Sequence, residues 1–249
     1  MQISIPSTKD ALASLLKGDF TTQWRNRKSV VLVLLVPVVI LISWKSLVQF
    51  KGGAFVLSNC ITIGLNAIGL MGYANAIARD RDKGVFQRLR VAPVPSWSIM
   101  ASRLVVQLAM IMLVTTAVFV VGHFVDKVTL TPLGYILGYA MAIVGGAVYL
   151  GLGQAIVGRI KNAETVNSTS RLIYFVFIMV GMFGELGMLG EKVTKISRMS
   201  PYGTVRNIVS TSLEPSNWNS DTTTALLLTI GYAIVFIFLG IKWFRWDSK

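Results

Sequence analysis

The sequence predicts an all-α membrane protein: six transmembrane helices behind an N-terminal interfacial amphipathic helix, with both termini in the cytoplasm. Three observations carry that expectation. Of the 249 residues, 53% are hydrophobic and only 14% are charged, with a mean hydropathy of +0.63. A soluble domain carries about 25% charged residues, so the bilayer has to be the solvent for much of this surface. Long uncharged runs recur along the whole chain, and the basic residues behind the +13 net charge sit between those runs rather than on a soluble module. That placement suits lipid headgroups and topology, not nucleic acid.

The first element is the interfacial helix, expected over 7–27. Leu12, Leu16, Phe20 and Trp24 recur every four residues with Leu15 beside them, while Lys9, Lys17 and Arg25 lie off that stripe. Ser7 is the expected cap, and Asp10 sits in the first turn, where the helix dipole favours a carboxylate. No basic start followed by an apolar block precedes it, so no cleaved leader is expected.

The first span is drawn over 29–48. Its uncharged core, 29–44, is only 16 residues, about 24 Å of helix at ~1.5 Å per residue, so Lys45 would have to snorkel toward headgroups. Pro37 is tolerable because neighbouring helices can satisfy the carbonyl it frees. The second span, 53–78, and the third, 103–124, are long enough unaided. The fourth apolar run is too long for one upright helix, so it must either tilt strongly or carry an interfacial turn at Thr131-Pro132, and the span is drawn over 132–157. The fifth, 171–190, is interrupted by Glu185, and Gly181, Gly184, Gly187 and Gly190 should loosen it into a break or re-entrant turn. The sixth covers 222–242.

Counting Lys and Arg orients the bundle. Seventeen fall on the side holding both termini and seven on the other, which places the termini in the cytoplasm of a cell-membrane protein. No connection is long enough to house a further domain, so 1–249 reads as one membrane domain.

The loop after the second span reads RDRDKGVFQRLRVAPVPSW over 79–97. Val85, Phe86 and Leu89 fall on one face of a short helix, expected over 84–92, which Pro93 and Pro95 then stop. An apolar face with basic flanks suits docking into a groove on a partner.

This loop resembles that of the permeases of type-2 ATP-binding-cassette exporters. Those carry an acidic residue, a spacer, Gly-Thr, then Glu-Arg-Leu and a proline about four residues on. Asp82, Gly84, Arg88, Leu89 and Pro93 fit; Val85 stands where threonine is usual and Gln87 where glutamate is. The six spans, the leading interfacial helix and the tract MSPYGTVR over 199–206 extend the likeness to nearly the whole chain. The resemblance implies a permease moved by a separate cytosolic ATPase. Asp82, Gly84, Val85, Phe86, Arg88, Leu89 and Pro93 would form the helix that couples to it. Two permease chains, this one and a second copy or a relative, would join two ATPase chains. ATP and Mg would bind the partner and no cofactor this chain. In keeping with that, no G-x-x-x-x-G-K-[S/T] occurs in the sequence.

For a translocation path the candidates lie in two spans. Asn59, Thr62, Asn66 and Tyr73 form one polar stripe along the second, which either lines a path or hydrogen-bonds neighbouring helices. Phe175, Met179, Met182 and Phe183 on the fifth offer an adaptable apolar surface or ordinary packing, with Glu185 beyond them. Gly134, Gly138, Ala142 and Gly146 give the fourth span a small face for close helix packing, within the subunit or across a dimer. One histidine and one cysteine make no usual zinc site, and no catalytic cluster appears, so neither a metal nor an enzyme is expected. The expected activity is export of an amphipathic or hydrophobic solute such as a drug, antibiotic or peptide. A cation efflux permease and a gradient-driven secondary transporter are the alternatives.

Overall fold

The structure, a computed structural model, describes residues 8–25, 27–90, 96–188 and 190–244. Among these the elements are all helical. The expected cap Ser7 and the helix-stopping Pro93 and Pro95 lie outside the described residues.

Helix α1 (Thr8–Arg25) leans on α7 (Ser96–Phe124), burying Ala11 and accepting a 2.5 Å hydrogen bond from Ser102 Oγ on Asp19 Oδ2. Its predicted apolar stripe is only partly covered by the bundle: Leu12, Leu15 and Leu16 are half-buried, whereas Phe20 is 42% and Trp24 69% exposed. Exposed apolar side chains are what a helix lying in the headgroup region needs.

The region of the first span, expected over 29–48, holds two helices. These are α2 (Arg27–Ser43) and α3 (Lys45–Lys51), bent by 64° about Trp44. The uncharged run ends at Trp44, whose N–H is shared between Ile40 O at 2.9 Å and Leu41 O at 3.1 Å. Turning there redirects Lys45 and Lys51 away from the axis of the apolar helix. Five helices are long and apolar enough to cross a membrane, and the bent pair makes six if it is one span.

The second span runs as one 30-residue helix, Gly53–Asp82. It comprises α4 (Gly53–Asn66), a π-helical stretch (Ala67–Ala74) and α5 (Asn75–Asp82). A π turn leaves backbone carbonyls short of donors, and Asn75 Nδ2 donates to Met71 O at 3.0 Å. In the widened stretch Gly69 lies against the backbone of α8 (Pro132–Arg159): a Cβ there would stand 2.4 Å from Tyr149 O. Gly153 of α8 reciprocates, its Cβ position 2.5 Å from Gly69 O. The two spans thus cross with backbones in contact, which only glycine permits.

The remaining long helices wrap this pair. They are α7, α9 (Ala163–Glu185) and α12 (Ser220–Trp243), joined by α10 (Glu191–Met199) and α11 (Pro201–Leu213). The second span is the core helix, 89% of its apolar window buried, against 17% for α12 and 28% for α9. Exposed apolar side chains such as Leu227, Ile234, Phe238 and Ile241 of α12 form the lipid-facing surface.

Four helix starts follow from capping chemistry: Thr131, Asn162, Ser200 and Asn219 each accept from the backbone N–H three residues on, with Pro132 and Pro201 opening two of the helices. The small face of α8 is used inside the subunit. Gly134 meets the backbone of Leu213, Gly138 the side chains of Leu213 and Phe119, and Gly146 that of Ile111.

The Gly69 contact yields a prediction. Gly69→Ala forces two backbones apart and costs about 1–3 kcal/mol, read as a lower thermal midpoint in detergent. Gly72→Ala, in the same π turn but with no neighbour nearer than 3.8 Å to its Cβ position, leaves the midpoint unchanged.

Candidate functional site

Three polar or charged clusters stand out in this apolar bundle. The first surrounds the short helix α6 (Val85–Arg90), which follows the second span at one end of the bundle. Gly84 adopts φ +66°, a left-handed conformation open to glycine, and so lets the chain turn sharply from α5 into α6. Arg88 closes the turn by donating to Lys83 O at 3.1 Å.

The apolar face expected to point at a partner points instead into the protein. Phe86 is fully buried, its ring 5.0 Å from the Arg103 guanidinium at the start of α7 and 5.9 Å, edge-on, from Phe244 just past α12. Val85 and Leu89 are half-buried; Asp82, Lys83, Gln87 and Arg88 are the exposed ones. The alternation of apolar and polar residues was legible, but periodicity alone cannot say which face meets the chain's own helices. Pro93, expected to close this helix, lies outside the described residues.

The same stretch is tied to its neighbours by charge. Asp80 pairs with Arg103 at 2.5 Å. Arg81, 2% exposed, donates from Nη1 to Val157 O at 2.7 Å and from Nη2 to Ile160 O and Lys161 O, both at 2.6 Å. The ends of the second, third, fourth and sixth long helices therefore converge on α6, along with the connection into α9. Beside them a cleft of about 970 Å³ opens between α1, α5, α6 and α7, with Arg79, Asp80, Lys83, Leu89 and Gln107 among its walls.

The second cluster is the polar stripe of the second span. Asn59, Thr62, Asn66 and Tyr73 are all buried, at 3% exposure or less. Asn59 Nδ2 donates to Phe55 O at 2.8 Å, and its Oδ1 accepts from Tyr202 of α11 at 3.1 Å. Thr62 returns its hydroxyl to Ser58 O, Asn66 Nδ2 donates to Tyr174 O of α9 at 3.4 Å, and Tyr73 donates to Gln154 Oε1 of α8 at 2.7 Å. Within one chain the stripe joins helices; Tyr73 also borders the cleft.

The fifth-span candidates do not meet that stripe face to face. Phe175 and Met179 are 58% and 44% exposed, while Met182 and Phe183 are half-buried.

The third cluster lies at the opposite end of the bundle. Helix α9 ends at Glu185, and positive φ at Gly187 and Gly190 turns the chain into α10. Gly181 and Gly184 do not loosen the helix; they are notches, with Cβ positions 2.2 Å from the Tyr202 ring and 2.6 Å from Ser197 Cβ. Ser197 Oγ donates to Gly181 O at 3.0 Å and Thr194 Oγ1 to Gly184 O at 2.8 Å. Both tie α10 to carbonyls in the last turn of α9, and Gly184 O accepts from Gly187 N at 3.1 Å as well. Glu185, 4% exposed, pairs with Arg206 of α11 at 2.7 Å, and the Arg206 guanidinium lies 5.4 Å from the Phe55 ring. Beside them burial pushes the Tyr202 phenol well up, so it stays a neutral donor to Asn59. Reading the sequence counted Arg206 and Arg81 merely as loop charges; no local signal separates them from their solvated neighbours.

Because breaking a buried ion pair leaves a lone charge, Glu185→Ala should cost about 3–5 kcal/mol of stability in detergent. The swap Glu185→Arg with Arg206→Glu should recover part of that loss. An unchanged thermal midpoint for Glu185→Ala would show the pair to be solvated instead.

The ABC-2 family transporter protein profile matches residues 45–242 of this chain. Over 165 residues the chain is 21% identical to "Putative transport permease YvfS" of Bacillus subtilis (strain 168), a match covering 66% of this chain and 66% of that protein, just under two thirds of its length. With four-fifths of the chain inside the family match and five or six membrane-length helices, this is a multi-pass cell-membrane protein belonging to the ABC-2 family of transporter proteins.

Proposed function

We propose that this chain is the permease half of an ATP-driven exporter, that its α6 end faces the cytoplasm, and that a separate ATP-binding-cassette ATPase docks there. The family implies an ATPase partner, and the observation that carries the reading is the convergence of helix ends on α6. A push on that one element reaches the second span directly, α7 through Asp80–Arg103, α8 through Arg81 and α12 through Phe86–Phe244. The 17-to-seven bias of basic residues supports the orientation.

The docking surface in this reading is polar. Asp82, Lys83, Gln87 and Arg88 point outward and the cleft behind α1 adjoins them, while Phe86 serves as the wedge that keeps α6 seated on its own bundle. A second permease copy completes the unit, with the exposed Phe175 and Met179 of α9 facing it. The cargo is an amphipathic or hydrophobic solute, since the buried polar groups of the second span are largely committed to neighbouring helices. A gradient-driven carrier would use an intramembrane carboxylate to exchange ions, and Glu185 is instead neutralised by Arg206.

The test is co-purification of the tagged chain with a cytosolic ATP-binding-cassette ATPase of the same cell. Lys83→Glu combined with Arg88→Glu should weaken association at least tenfold, about 1.4 kcal/mol, with the permease still eluting as a single folded species. Phe86→Ala should instead lower the permease's own thermal stability by about 3–5 kcal/mol. Full association of the doubly reversed variant would remove α6 as the docking element.

A further inference from the structure

We propose that Arg81 is a positioning residue that locks the docking helix to the fourth and fifth spans, so that α6 and the α8–α9 connection move as one body when the partner ATPase closes. This rests on the exporter reading given above. The last carbonyls of a helix have no intrahelical donors and carry partial negative charge. A residue of α8's own last turn, such as Arg159, could cap them locally. The structure brings the cap from another span. Arg81 stands three residues before the turn at Gly84 and reaches carbonyls 76 to 80 positions further along the chain.

The geometry suits transmission rather than solubility. The guanidinium is planar and rigid, and its two terminal nitrogens hold three carbonyls at 2.6–2.7 Å in a site only 2% exposed. Two of the acceptors, Ile160 and Lys161, belong to the connection itself, and the next residue, Asn162, caps α9 by accepting from Thr165 N at 2.9 Å. A displacement of α6 must either carry this connection along or break three charge-assisted hydrogen bonds, the one to Val157 buried and the two to Ile160 and Lys161 part-buried. The other ties at α6 lead elsewhere: Asp80–Arg103 to α7, and Phe86 to α7 and α12. Beside the direct packing of α5 on α9, Arg81 is the hydrogen-bonded link that takes a movement of α6 to the end of α8 and the start of α9.

The experiment uses the permease assembled with its ATPase in lipid nanodiscs, on a Cys60→Ala background. Spin labels at Gln87 and Glu164 report on the α6–α9 connection, and a second pair at Leu133 and Ile196 reports on the opposite end. In the parent complex the Gln87–Glu164 distance should stay single and unchanged between nucleotide-free and ATP-vanadate states, while Leu133–Ile196 shifts. In Arg81→Met the ATPase should remain bound and hydrolyse ATP at no less than half the parent rate. The Gln87–Glu164 distribution should broaden, and the Leu133–Ile196 shift should fall by more than half. Arg81→Lys, which offers one ammonium in place of the fork, should lie between the two.

A parent-like Leu133–Ile196 shift in both variants overturns the proposal. If Arg81→Met fails to fold, Arg81→Lys decides alone: a reduced shift with ATP hydrolysis retained supports the lock, and a parent-like shift overturns it. A parent chain that never binds the ATPase overturns the exporter reading itself, which separates the two failures.

Discussion

A span surrounded by hydrocarbon has to satisfy its polar groups from within the protein, and that constraint organises this bundle. The second span carries Asn59, Thr62, Asn66 and Tyr73 into the core, where α11, α9 and α8 supply partners to three of them and Thr62 folds back onto its own helix. For those partners to reach, the helices must come close. The glycine crossing of the second span with α8 makes that approach sterically available. Polar satisfaction and close packing therefore depend on each other here: bulk at Gly69 would separate the very helices whose hydrogen bonds the stripe requires.

The two ends of the bundle solve the same problem with charge. At the α6 end, Arg81 supplies a donor to an orphan carbonyl of α8 and two to the connection after it, and Arg103 both pairs with Asp80 and lies against the buried Phe86. At the far end, Ser197 and Thr194 supply donors to α9, while Glu185 and Arg206 neutralise each other against Phe55. The α6 end joins separate spans directly, while the far end ties α9 to α10 and α11 and reaches the second span through Arg206 against Phe55 and Tyr202 on Asn59. A transporter driven from one end requires such junctions, because a push delivered to a single short helix has to reach several spans at once.

Much of the architecture was legible from residue patterns. Uncharged runs marked the long helices, Thr131-Pro132 marked the start of α8, and the glycines after Glu185 marked the turn into α10. Other features left no trace in the pattern. The bend at Trp44 follows from a run too short to cross, yet nothing there distinguished a bend from a snorkelling lysine. The π turn at Ala67–Ala74 holds Gly69 against the backbone of α8, a tertiary contact that local residue patterns do not report. The roles of Arg81 and Arg206 were hidden for the same reason, since a basic residue near a span end reads as a topology signal whether it faces water or a helix terminus. The facing of α6 was the largest departure: Phe86 has the periodicity of a docking knob, but its pocket is built by Arg103 and Phe244 of the same chain.

On the proposed reading, the polar outer face of α6 is where the energy-supplying partner sits. Photo-crosslinking in intact cells addresses it most directly, with a photoreactive side chain placed at exposed Gln87 and, as a control, at exposed Leu133 at the opposite end of α8. The account predicts an adduct with a cytosolic ATP-binding-cassette ATPase from Gln87 and none from Leu133. An adduct from Leu133, or abundant assembled transporter with no adduct from Gln87, would contradict it.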